Sequence, residues 1–237
     1  MEDIRVITAR RVYSFDTDDV RLTVLSTTQC LNMLREAFKF QSPGYAALQF
    51  GTGAPPPTNP PGILMQNGEL QTDQGPLPVR AIFIDARRVT IDVAAPSEAI
   101  DLAYDALMEI VGQLTALDGS PVIGEPATVS EHSEISARLD FLPAALVSEP
   151  MHHVMAEHLG LDGPPDVLVP SIRLTHVAGG EEFPGDIPDA SIAELSIRFG
   201  TDPRCGVFYS KAPLDTSAHA EMLGALEKAL SRSSNRG

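Results

Sequence analysis

Few residues in this chain are of a type and spacing that could do chemistry. The densest group is the run MHHVMAEHLG, residues 151–160. On a helix His153 and Glu157 stand four apart and share a face, which could offer a metal two ligands. Zinc needs three or four, and the HEXXH spacing is absent, so packing is the expected role of His158 beside the Met151–Val154 stripe. Asp16, Asp18 and Asp19 lack the Gly and Glu of a calcium loop. Glu181, Glu182, Asp186 and Asp189 read as a solvated acidic loop. No metal site and no cofactor is expected.

Nucleophiles are equally sparse. Cys205 follows Arg204, whose guanidinium could favour the thiolate, and His176 could pair with it if their strands are neighbours. Cys30 reads as a small core residue at the start of a helix. There is no G-x-S-x-G elbow and no phosphate loop, and Gly51-Thr52-Gly53 runs into prolines instead of a helix. No catalytic residue is therefore assigned. A ligand in a cavity between sheet and helices could take polar contacts from His158, His176 and Tyr209.

The background composition bears on partners. Of 237 residues, 43% are hydrophobic, enough for a sizeable core, and 32 acidic against 17 basic residues give a net charge of -15. A nucleic-acid binder gains most of its affinity by neutralising phosphates, so none is expected as partner. Two cysteines exclude a disulfide scaffold. No apolar run is long enough to span a membrane, and the alternating, charged first fifteen residues are not a signal peptide. These features predict a cytoplasmic protein. The excess of arginine over lysine, with much Ala, Pro and Gly, predicts a bacterial source.

The elements that must position these residues follow from periodicity. Ile4 to Phe15 alternates, and with Val20, Leu22 and Val24 reads as a hairpin turning at 14–19. Ser26-x-x-Gln29 is a capping box before a helix over 27–40, with Cys30, Leu34, Ala37 and Phe38 as its buried stripe. A short strand is expected at 46–50, then a proline-rich loop at 51–62. Asn67-Gly68 signals a hairpin turn. Strands at 79–85 and 89–93 precede a helix over 97–115 with the stripe Ile100, Tyr104, Leu107, Val111, Leu114. In the first of these strands Val79, Ala81 and Phe83 are expected on one face, Ile82 and Ile84 on the other. Beyond 116–127 come a strand at 134–141, a short helix at 149–159, a strand at 167–177, a strand bearing Ala193, Leu195, Ile197 and Phe199, a return strand at 207–209 and a helix at 215–231.

The order repeats, and the expected fold is α+β: two similar halves, each an antiparallel sheet with helices on one face. The boundaries read as residues 1–118, a linker at 119–127, a second half at 128–231 and a frayed tail at 232–237. The strand–helix–strands–helix order is similar to that of the TATA-box-binding protein's fold, a saddle of two repeats. The resemblance is one of topology. It carries no DNA-binding function, because a saddle that binds DNA needs a basic concave face.

These readings point to a non-catalytic protein-protein interaction or assembly subunit, an adaptor in a bacterial or phage multiprotein system, with a protein partner or self-association. A small-molecule binding protein is the second reading, and a hydrolase-type enzyme using Cys205 and His176 the third.

Overall fold

The structure, a computed structural model, describes residues 1–46, 62–116, 118–141, 146, 171–175, 192–202 and 205–234. The chain divides into two compact units. One is Thr8–Glu131; the other joins Met1–Ile7 to His132–Gly237. The segment 119–127, expected as a linker, lies inside the first.

The N-terminal unit runs through β1 (Glu2–Ser14, of which residues 2–7 count with the other unit), α1 (Leu22–Leu25), α2 (Thr28–Phe38), β2 (Ser42–Ala46), β3 (Gly62–Thr72), β4 (Gly75–Ile84), β5 (Arg88–Val93) and α3 (Ala99–Gly112). The sheet order is β2-β3-β4-β5-β1 and every described pairing is antiparallel. Strands β2 to β5 form a meander that returns β5 to the side of β1. Helix α2 buries Cys30, Leu34 and Phe38; α3 buries Ile100, Ala103, Leu107, Ile110 and Val111. Both stripes lie in one core with Ile63, Met65, Ile82, Ile84, Val89, Ile91 and Val93 from the sheet. Each such side chain contributes roughly 1.5–3 kcal/mol by leaving water.

The C-terminal unit contains β6 (Thr128–Arg138, of which residues 128–131 count with the other unit), β7 (Ser171–Thr175), β8 (Ile192–Ile197), β9 (Val207–Ala212) and α4 (Thr216–Ser234). Its order is β6-β9-β8-β7. Ile135, Ala137, Leu139, Phe141, Leu195, Phe208 and Leu223 form its core, and Leu226 and Leu230 pack against it from α4. The Phe141 and Phe208 rings lie 5.0 Å apart. Strand alternation supplies this face, as Ile135, Ala137, Leu139 and Phe141 are two apart.

The α+β class read from the sequence is present, with helical stripes and most strands where periodicity put them. Five local expectations differ. Residues 22–25 form a helical turn, and Val20 makes an isolated bridge with Ile123, so no hairpin follows β1. The cap of α2 is Thr27, whose Oγ1 accepts from Cys30 N at 3.3 Å, one residue later than the box implied. Asn67-Gly68 lies inside an unbroken β3, with Asn67 at φ 56 opposite Arg80; the hairpin turns instead at 73–74, into Gly75 at φ 114. Both a tight turn and a kinked strand use positive φ, so the dipeptide signalled the conformation but not its use. The register shift between Val79 and Ala81 puts Val79 on the same buried face as Ile82 and Ile84. Phe199 lies past the end of β8, fully exposed. Residues 47–61, expected as the rest of a short strand and a proline-rich loop, the helix expected at 149–159 and the loop expected at 178–189 lie outside the described residues.

Candidate functional site

His158 and His176 lie outside the described residues, as do His153, Glu157 and Arg204. Tyr209 lies on β9, partly buried, with Lys211 Nζ 5.9 Å from its ring centroid. Cys205 is exposed and free, just before that strand. Cys30 is fully buried, and burial pushes its thiol up to about 11, which keeps it protonated and unreactive as expected of a core residue. Among the described residues no three His, Cys, Asp or Glu side chains gather as a metal site. No helix among them is long and apolar enough to cross a membrane.

Two polar constellations emerge that the sequence reading did not single out. The first is in the C-terminal unit. His219, in the first turn of α4, is fully buried. Its Nδ1 lies 2.7 Å from Ser133 Oγ and its Nε2 2.8 Å from Ser210 Oγ. Ser133 Oγ also lies 2.8 Å from Leu214 O, and Ser210 Oγ lies 3.0 Å from Glu194 O. Burial pushes His219 down to about 4. The legible signal was weak: Ser133 and Ser210 hold inward positions of their strands, each in register with an apolar side of the core, so an inward polar partner was needed.

The second is in the N-terminal unit. The Arg11 guanidinium, 13% exposed, reaches Asp101 on α3 and Glu131, with Tyr13 OH at 3.4 Å. Burial works against its charge, but hydrogen bonds with Tyr13, Asp101 and Glu131 outweigh it and hold it protonated above its ordinary range. Tyr13 stacks on Tyr104 at 4.1 Å. This joint fastens α3 to β1.

What remains is the sheet surface away from the helices. In the N-terminal unit a cross-strand row runs Leu64–Phe83–Thr90–Val12 in direct register over β3, β4, β5 and β1. All four are partly buried, and the three apolar ones lie outside the core cluster. Phe83 leans over Gly62, where a Cβ would come within 2.5 Å of its ring. The row is bordered by ion pairs. On one side Arg10 grips Asp92 through two hydrogen bonds, at 2.6 and 2.8 Å. On the other, Arg88 reaches Asp85 at 2.9 Å.

The same surface in the C-terminal unit is polar. Glu134, Lys211, Glu194 and Arg173 stand side by side across β6, β9, β8 and β7 with alternating sign. Lys211–Glu134 and Arg173–Glu194 each close to 3.4 Å. Next to them runs the row Ser136–Tyr209–Ser196–Ser171. The N-terminal row is thus mainly apolar and the C-terminal rows polar, with Ser136 itself buried.

No known protein family's sequence profile matches this chain, and no curated protein sequence matches it.

Proposed function

We propose that this protein is a non-catalytic assembly subunit that associates with a second copy of itself through the outer face of the N-terminal sheet. The carrying observation is the Leu64–Phe83–Thr90–Val12 row, three apolar side chains and a threonine placed outside the core in direct register across four strands. Desolvating such a row is favourable in proportion to its area. Its borders favour a second copy as the occupant. The chain carries -15, yet along this face arginines and carboxylates come in pairs, Arg10 with Asp92 and Arg88 with Asp85. A surface with an apolar middle and balanced edges is self-complementary, which a two-fold interface requires. The free thiols of Cys30 and Cys205 fit a reducing cytoplasm.

Sedimentation equilibrium tests this on the whole chain. Association is expected for the native protein, and Phe83→Glu is expected to be monomeric with an unchanged far-UV spectrum. A monomeric native protein, association surviving in Phe83→Glu, or a lone monomer that pairs only with a basic protein would each overturn it.

We also infer that the two units are copies of one ancestral repeat. In support, each opens with a strand (β1, β6), closes a meander with a strand that pairs with it (β5, β9), and follows that strand with its long amphipathic helix (α3, α4). The likeness to the saddle fold rests on this order together with a first helix in each half, which in the second half, at 149–159, falls outside the described residues.

A further inference from the structure

His219 occupies an unfavourable place for a group that can become a cation. It lies in the first turn of α4, where the aligned peptide dipoles present their positive end. It is fully buried. The charged side chains of the strands packed against it, Glu134 on β6, Lys211 on β9 and Glu194 on β8, alternate to the opposite face of the sheet, as does His132. Asp215, at the start of the helix, uses its carboxylate to accept from Ala218 N at 2.8 Å. Glu221 is exposed. Among the described residues, what meets the ring is two serine hydroxyls, each also tied to a main-chain carbonyl.

The neutral ring fits this cradle in either tautomer. One nitrogen donates to its serine, which passes its own hydrogen to a carbonyl; the other nitrogen accepts from the second serine. Three hydrogens then serve the four contacts of 3.0 Å or less, besides a longer one of 3.4 Å from Ser133 Oγ to Asp215 O, and the unserved short one is at a carbonyl, the cheapest place to leave it. A second ring proton would fill that contact. Against this small gain stands an ion removed from water with no counter-charge in contact with it among the described residues, which costs several kcal/mol even after relaxation. Burial wins, so the added proton is accommodated by moving the ring to water.

We propose that His219 is an acid-release latch: protonation of its ring frees the first turn of α4 from β6 and β9. The residues behind it are Leu223, buried, and Leu226 and Leu230, partly buried, so release uncovers the apolar side of that sheet. The direction follows from the two states. In the unfolded or released chain the ring has its ordinary value of 6.5, and in place it lies near 4. Between these values the released form binds the extra proton. The latch therefore holds fully above about pH 6.5 and weakens as pH falls toward 4.

Nitrogen-15 chemical shifts of the six histidine rings, followed from pH 7.5 to 4.5 in the native protein, read this directly. His219 is expected to stay neutral while folded and to gain its proton only together with loss of protection at the amides of 216–223. A His219 that titrates near 6.5 with those amides still protected would overturn the latch. His219→Gln keeps hydrogen-bonding capacity without titrating. Its melting midpoint is expected to fall between pH 7 and pH 5 by roughly 4–8 °C less than that of the native chain. Equal falls would overturn it too. If the glutamine variant does not fold, Ser210→Ala serves in the ring measurement: with one of the two contacts removed, the ring must still refuse the proton until the amides open.

Discussion

Gly206 is a residue whose role only the backbone explains. It sits at φ 63, and a Cβ added there would lie 2.6 Å from Leu139 O, against which its own carbonyl accepts from Leu139 N at 2.9 Å. Gly206→Ala must bear both a left-handed side chain and a collision with main chain, so a loss of about 2–4 kcal/mol is expected in urea unfolding. Gly119 has a similar φ of 78 but nothing within 4 Å, so Gly119→Ala should lose about 1 kcal/mol only. Similar losses at the two sites would show that strain alone, and not the close approach, governs Gly206. Arg11 makes the complementary case. Its planar fork serves Asp101 and Glu131 together, whereas an ammonium is a point donor. Arg11→Lys is expected to cost about 1–3 kcal/mol despite keeping the charge, measured by the same unfolding midpoint. Neither residue was legible beforehand. Glycine in a GTDPRCG turn announces a turn but not a carbonyl across it, and Arg11 meets Asp101 and Glu131 from ninety or more positions away in the chain. His219 was hidden for the same reason, with its serines on two different strands.

At the scale of elements, what could be read was what repeats within the element itself. Cys30, Leu34 and Phe38 on α2 and Ile100, Leu107 and Val111 on α3 are buried because helical spacing already lines them up. Irregularities were misread because one residue pair can serve two geometries. Asn67 at φ 56 faces the register shift of β4 near Arg80, and together they let both strands swap faces without losing their pairing. Gly68 after it must be small, because a Cβ would fall 2.5 Å from the Phe40 ring and 2.6 Å from Phe38 O. Asn67→Gly is thus expected to lie within about 0.5 kcal/mol of the native chain, while Asn67→Val should cost about 1–2 kcal/mol, since branched side chains resist positive φ. Thermal unfolding of the two variants side by side checks the kink; a tolerated valine would mean that the strand can run straight.

For the molecule as a whole, two quantities act at different ranges. Net charge acts far away: two chains of -15 repel as they approach, and salt screens that repulsion within a Debye length of about 10 Å at 0.1 M. The apolar row and its self-paired edges act only on contact, where Arg10–Asp92 and Arg88–Asp85 leave little excess charge to screen. Self-association through that face must then tighten as salt rises, the reverse of what a salt-bridged interface or a basic partner would show. Raising sodium chloride from about 0.05 to about 0.5 M is expected to lower the dimer dissociation constant several-fold in sedimentation equilibrium. The C-terminal unit supplies the internal contrast, since its outer face is an alternating ladder from Glu134 to Arg173 that salt would weaken. A dissociation constant that rises with salt would therefore move the contact off the apolar row and onto charged surface, and Phe83→Glu would then leave association unchanged.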